Sequence, residues 1–145
     1  MYDYPAKRSD KFRDTGDDGD TLLFWLSEGL NDAAEEPIRL AGVRAPESHQ
    51  AGGRESAAEL KLICEGIEER AHAHRKRWPF MVFTEPNAAP DHDERRTFVR
   101  WVGTVYAFDA DLTREPSVNE QMIQFLAAHP EWGGGIGRPR DDMNG

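Results

Sequence analysis

Two arginines and two carboxylates are the residues whose types and places in the sequence could carry chemistry. Arg39 and Arg100 lie in segments that predict β-strands, where a surplus arginine is costly. Asp20 closes an acidic turn that contains glycine, and Glu47 follows a proline. Guanidinium groups, and a divalent cation held by carboxylates, can stabilise negative charge that develops in a transition state. Arginine suits this role better than lysine because it forms paired hydrogen bonds.

Each of these residues also has a purely structural interpretation. Aspartates in a glycine-containing turn accept backbone hydrogen bonds, the two arginines can be ion-pair partners, and Glu47 can cap the loop that follows it. His72 and His74 are two residues apart and do not share a helix face, so a solvated charged patch is favoured over a zinc site. Cys64 lies on an apolar helical stripe, which predicts a place in the core.

The elements that carry these residues follow from the periodicity of the apolar positions. Four strands are predicted, at residues 22–26, 38–43, 78–84 and 98–108, with turns or loops at residues 7–20, 27–37 and 85–96. One helix is predicted over residues 54–70, and a second begins at the capping box of Ser117 and Glu120 and ends before Pro130. This order predicts an α+β protein with a mainly antiparallel sheet. A five-stranded antiparallel OB-type barrel with flanking helices suits the short strands, although composition and periodicity do not separate it from other small α+β folds.

Four short motifs occur in an order and at spacings that resemble the staphylococcal nuclease (thermonuclease-like) family. They are Asp18-Gly19-Asp20-Thr21, Ile38-Arg39-Leu40 running to Ala45-Pro46-Glu47, Gly53-Arg54-Glu55-Ser56-Ala57, and Phe98-Val99-Arg100-Trp101-Val102. Asn119, near the start of the last predicted helix, matches the asparagine of the family's final helix. The resemblance covers roughly residues 18–132 and implies an OB barrel. The segments around residues 78–80 and 100–106 look most like members encoded by bacteriophages.

The resemblance also implies roles for individual residues. Arg39 and Arg100 would stabilise the transition state, Asp20 would be a ligand of Ca²⁺, and Glu47 would orient or deprotonate the attacking water. The implied partner of an active protein is nucleic acid, either DNA or RNA.

This chain departs from the family pattern at the metal site. Arg44 stands where the family has its second metal-binding aspartate, and Ala45 replaces a threonine whose carbonyl binds the metal. Ala45 still offers a backbone carbonyl, but a cation within about 4 to 5 Å of a divalent ion costs several kcal/mol. We therefore expect a weakened Ca²⁺ site, with Arg44 paired with Asp20 or Glu47. The apolar strand that precedes the first motif in the family is also expected to be degenerate.

Composition limits the remaining classes of function. The 145 residues carry 27 acids and 18 bases, a formal charge of -9, which disfavours binding of polyanions by a generally basic surface. A single cysteine excludes an internal disulfide framework. The longest apolar runs are far shorter than the roughly 20 residues that cross a bilayer, and the first residues lack the pattern of a signal peptide. We expect a protein of the host cytoplasm or of a phage virion, not exported by a signal peptide and without a membrane partner.

The sequence thus predicts three segments and favours two functions over a third, a nucleic-acid-binding module without cleavage, which the net charge of -9 disfavours. The segments are a charged arm at residues 1–17, the nuclease-like domain at 18–132 and a flexible glycine-rich tail at 133–145. One function is calcium-dependent phosphodiester hydrolysis with a weakened metal site. The alternative is a catalytically inactive descendant that serves as a structural or assembly protein of a phage particle, with other phage structural proteins as its partners.

Overall fold

The computed structural model describes residues 2–10, 19–84, 101–108 and 115–132. Within these ranges the chain is α+β, as predicted from the sequence. The elements are β1 (Tyr2–Arg8), β2 (Thr21–Gly29), β3 (Asp32–Leu40), α1 (Gly53–Ala73), β4 (Phe80–Thr84), β5 (Trp101–Ala107), α2 (Val118–Ala127) and a 3-10 helix at Pro130–Trp132. The predicted loop at 85–96, the start of the fourth predicted strand at 98–100 and the tail at 133–145 lie outside the described residues.

The five strands form a mixed sheet that closes into a ring in the order β1-β2-β3-β5-β4, with β4 pairing back to β1. Four neighbouring pairs are antiparallel, whereas β3 runs parallel to β5. The prediction of an antiparallel barrel is therefore wrong for this pair. A ring of five strands cannot alternate in direction throughout, because an odd number of reversals does not return to the starting direction.

β1 occupies a place where the sequence analysis expected a charged arm and a degenerate strand. Ala6 is fully buried, Arg8 is nearly so and Tyr4 is half-buried, whereas Lys7 is exposed, so the strand has the alternation of a half-buried sheet. β1 pairs with β2 on one side and with β4 on the other. The expectation of a degenerate N-terminal strand is wrong. The strand was missed because its alternation rests on three inward-facing residues only, and Pro5 and the charged side chains obscure it.

β2 and β3 form a longer hairpin than the sequence predicts. The turn predicted at residues 27–37 is mostly strand, and the chain reverses at residues 30–31, where Gly29 and Leu30 have φ of 102° and 48°. Pro37 lies within β3, opposite Leu23. Proline and acidic residues predict a loop when read locally, but here pairing with the apolar β2 keeps them in a strand.

One hydrophobic core fills the ring and extends beneath both helices. Phe24 and Phe80 meet edge to face inside it, with ring centroids 5.3 Å apart. Gly103 is required where β5 passes the core, because a Cβ at this position would lie 2.9 Å from the Phe83 carbonyl oxygen. The other large buried side chains are Ile38, Leu40, Val43, Val82, Val105, Val118, Met122 and Leu126.

Both helices bear out the sequence prediction closely. α1 exceeds its predicted range by one residue at its start and three at its end, and it buries Cys64 as expected. α2 begins after Ser117, whose hydroxyl accepts the backbone N–H of Glu120 at 3.0 Å, so the predicted N-terminal cap is confirmed. Neither helix is long and apolar enough to cross a membrane, a finding that concerns the described ranges.

Candidate functional site

Asp20 lies in the turn before β2 and is fixed there by the sheet. Its backbone carbonyl accepts the N–H of Leu40 at 2.7 Å, so the turn is joined to the end of β3. The carboxylate is buried, with Oδ1 accepting the Thr21 hydroxyl at 3.1 Å and Oδ2 facing the Ala45 N–H at 3.4 Å. Asp20 thus lies where β2 begins and β3 ends.

Arg39 meets Asp20 from the neighbouring strand. Its Nη2 lies 3.7 Å from Asp20 Oδ2, and both side chains are about nine-tenths buried. The same nitrogen donates to the Val43 carbonyl at 3.3 Å. The residue does lie in a strand, as predicted, and it is brought to Asp20 by the pairing of Thr21 with Arg39 across the hairpin. The two residues therefore form a largely desolvated ion pair.

The segment that follows β3 wraps around this ion pair. Val43 is buried, while Arg44 and Ala45 are half-buried beside it. Ala45 contacts Asp20 through its N–H, which is a different group from the carbonyl that the resemblance assigns to the metal. Arg39 places a guanidinium beside Asp20. The expected pairing of Arg44 with Asp20 or Glu47 stays a prediction.

Glu47 lies in the turn that follows β3, and the catalytic role that the resemblance implies for it stays a prediction. Its side chain is 65% exposed, and Oε2 lies 3.6 Å from Nε2 of His49. Its backbone N–H is bonded to the Gln50 side chain at 2.8 Å, and its carbonyl accepts the Gln50 N–H at 2.9 Å. Glu47 is therefore part of a surface turn, whereas Asp20 and Arg39 are buried.

Arg100 lies outside the described residues, so its predicted position beside Arg39 stays a prediction. The residue that follows it, Trp101, opens β5 and pairs with Ile38, and Val102 pairs with Arg39. The chain at the start of β5 is therefore the immediate neighbour of the end of β3 that carries Arg39.

The N-terminal end of α1 packs tightly against this region. A Cβ on Gly19 would lie 2.8 Å from Cβ of Ser56, and a Cβ on Gly53 would clash with the Glu47 carbonyl oxygen. Ser56 is fully buried, and its hydroxyl has no hydrogen-bond partner among the described residues. Two glycines, which the sequence analysis noted only as motif letters, thus allow the turn, the loop and the helix to approach each other closely.

The described residues do not fit a calcium ion. Calcium prefers six to eight oxygen ligands at about 2.3 to 2.6 Å. Both oxygens of Asp20 already have partners, one of which is the Arg39 guanidinium, and Glu47 belongs to the exposed turn. In the four described ranges there is no group of three or more His, Cys, Asp or Glu residues that could hold a metal.

One buried ion pair was not anticipated from the sequence. Arg8, at the end of β1, donates from Nε and Nη2 to the two carboxylate oxygens of Glu68 on α1, at 2.7 and 2.5 Å. Burial by itself lowers the pKa of Arg8, but the hydrogen bond with Glu68 and nearby negative charge outweigh it and raise this pKa. The alternation of Tyr4, Ala6 and Arg8 was the available signal for this inward-pointing arginine.

Comparison of the sequence with protein-family models and with curated proteins gives no match.

Proposed function

We propose that the chain is an OB-type domain of the staphylococcal nuclease kind. The proposal is supported by the ring of five strands, by the parallel pairing of β3 with β5, and by the position of α1 between β3 and β4. It is also supported by the contact of Asp20 with Arg39, which come from the first two motifs of the resemblance.

Within this fold, the function that the geometry supports best is a catalytically inactive one, as a structural or assembly protein of a phage particle. The observation that carries this proposal is the environment of the Asp20 carboxylate. It is bonded to Thr21, faced by the Ala45 N–H and paired with Arg39, in a site with Arg44 in place of the expected aspartate. A carboxylate held in this way balances a buried arginine, which is a structural task. Other phage structural proteins are the proposed partners, in the virion or the host cytoplasm.

The experiment that tests this proposal restores the missing carboxylate. Arg44→Asp removes a positive charge and adds a carboxylate, so we expect calcium affinity, measured by calorimetric titration, to rise about tenfold or more. The unmodified protein should cut single-stranded DNA far more slowly than Arg44→Asp does. Arg75→Asp, which makes the same charge change at the exposed C-terminal end of α1, is the matched control and should leave calcium affinity unchanged.

A second candidate function is weak calcium-dependent hydrolysis of DNA or RNA by the unmodified protein. The contact of Asp20 with Arg39 at 3.7 Å favours it, because a carboxylate and a guanidinium at one site are groups that this chemistry uses. Robust cleavage by the unmodified protein that requires calcium and is lost in Glu47→Gln and Arg39→Ala would establish this function and refute the inactive one. If neither the unmodified protein nor Arg44→Asp cleaves, the inactive function stands.

A further inference from the structure

A basic cleft lies between β1, β2 and the C-terminal end of α1. It has a volume of about 370 Å³, within the range of about 300 to 1,000 Å³ that small-molecule sites occupy. Lys7, Lys76 and Arg77 line it together with His72 and the ring of Trp25. None of these residues belongs to the candidate site around Asp20.

Three cations of this cleft, Lys7, Lys76 and Arg77, contact neutral groups. Lys76 Nζ donates to the Phe108 carbonyl oxygen at 2.6 Å. Lys7 Nζ and the Arg77 guanidinium lie 5.7 and 5.1 Å from the ring centroid of Trp78. No carboxylate of the described ranges forms an ion pair with any of these three cations. The Phe108 carbonyl and the Trp78 ring contact the three cations but carry no negative charge that would neutralise them.

The acidic residues of the cleft do not make its net charge negative. Glu68 is one of the two acids in the lining, and its carboxylate is taken up by the bidentate contact with Arg8. Asp10 is the other. Counting Lys7, Arg8, Lys76 and Arg77 against these two acids, the lining carries a net charge of +2, in a protein whose net charge is -9. Such local reversal concentrates a field that attracts anions.

Trp25 supplies the second part of the site. It is half-buried, lines the cleft, and lies directly opposite Lys7 in the pairing of β1 with β2. Facing residues on one side of a sheet have Cβ atoms about 4.5 to 5.5 Å apart, so a planar group on the indole lies within reach of the cations. Stacking of a base on an aromatic ring is tolerant of base identity.

We infer that this cleft binds the phosphate of a nucleotide, with the phosphate on Lys7, Lys76 and Arg77 and the base against Trp25. The inference does not rest on the proposed function. The cleft and the candidate site around Asp20 lie at opposite ends of α1. Gly19, the neighbour of Asp20, packs against Ser56 near the start of this helix, whereas His72 of the cleft lies sixteen residues further along it, about 24 Å at 1.5 Å per residue.

Calorimetric titration with deoxythymidine monophosphate tests the site on the full chain. We expect saturable binding, weakened about tenfold in Arg77→Gln and about fivefold in Lys7→Gln. Lys61→Gln removes one charge from an exposed position of α1 outside the cleft and should change the affinity less than twofold. Because Lys7 and Arg77 are exposed, both variants should remain folded, which circular dichroism checks.

Two further probes separate the contribution of the phosphate from that of the base, and a free nucleotide from the end of a nucleic-acid strand. Inorganic phosphate should bind several-fold more weakly than the mononucleotide, because it cannot stack on Trp25. A short oligothymidylate with a 5′-phosphate that binds as well as the mononucleotide identifies a strand end as the source, whereas much weaker binding identifies a free nucleotide. Both outcomes support the site.

The indole N–H signals in a nuclear magnetic resonance titration provide an internal control. The signals of Trp25 and Trp78 should move on addition of the mononucleotide, while that of Trp132, which packs against Phe125 and Gly52, should not. No saturable binding of the mononucleotide, an equal loss of affinity in Lys61→Gln, or unchanged signals of Trp25 and Trp78 would overturn the inference.

Discussion

Replacement of Asn119 should destabilise the ring strongly, because its side-chain amide forms three hydrogen bonds to the backbone. The residue is 4% exposed, on the first turn of α2, where β3 has separated from β5. Its Oδ1 accepts the Val105 N–H at 2.9 Å, and its Nδ2 donates to the carbonyls of Ala41 at 2.9 Å and Gly103 at 3.0 Å. The side-chain amide thus continues the hydrogen bonding between the two strands beyond their last paired residues.

The cost of Asn119→Ala follows from the groups that it leaves without a partner. The Gly103 carbonyl keeps a second donor, the Ala41 N–H at 2.8 Å, so its loss is small. The Val105 N–H is buried, and the Ala41 carbonyl lies in a partly buried contact. An unsatisfied buried group costs about 1 to 3 kcal/mol, which gives a total of about 3 kcal/mol, a large share of the ~5 to 15 kcal/mol by which domains are stable.

Urea unfolding followed by tryptophan fluorescence measures this effect. With a slope of about 2 kcal/mol per molar urea, we expect Asn119→Ala to lower the midpoint by about 1.5 M. Asn119→Asp should be worse, because it places a carboxylate oxygen against the carbonyls of Ala41 and Gly103. The control is Gln121→Ala on the same helix, whose amide donates to the Pro116 carbonyl at an exposed position and should cost about 0.5 kcal/mol. A midpoint for Asn119→Ala equal to that of the control would refute the reasoning.

Three further outcomes are expected. Gly19→Ala should destabilise the fold by about 1 to 3 kcal/mol in the same unfolding assay, because its Cβ would lie 2.8 Å from Cβ of Ser56; unchanged stability would show that the turn can shift. Cys64, whose pKa burial raises to about 12, should not react with a thiol reagent at pH 9 until the protein is unfolded, and rapid native labelling would contradict this. Arg8→Met should lower stability by about 3 kcal/mol by removing the bidentate contact with the Glu68 carboxylate, and Arg8→Met combined with Glu68→Met should recover most of this loss, whereas no recovery would contradict the pairing.

The two helices could be located from the sequence because their signals are local. Ser117 and Glu120 form a cap within three residues, and the buried positions of α1 from Ser56 to Ala71 recur at helical spacing. The core strands β2 and β4 were also recognisable as short apolar runs. In each case the physical cause of the element lies within a few residues of it.

The strands whose stability comes from their neighbours could not be predicted in this way. β1 lacks an apolar run and has three charged residues among its seven, and it pairs with β2 on one side and with β4 on the other. β3 contains acids and Pro37, which favour a loop in isolation. Pairing with β2 overrides that local preference, and no local pattern contains this information.

At the candidate site, the sequence by itself determined which chemical groups are present, and the tertiary structure decided which of them meet. Arg39 was predicted in a strand, and Asp20 in a turn before another strand. Only the register of the hairpin, with Thr21 opposite Arg39, sets their side chains 3.7 Å apart in a buried place. Glu47 lies instead in a local surface turn, where its carboxylate faces His49. Spacing along the chain does not fix the distance between Asp20 and Arg39, because it depends on contacts between strands that are far apart in sequence.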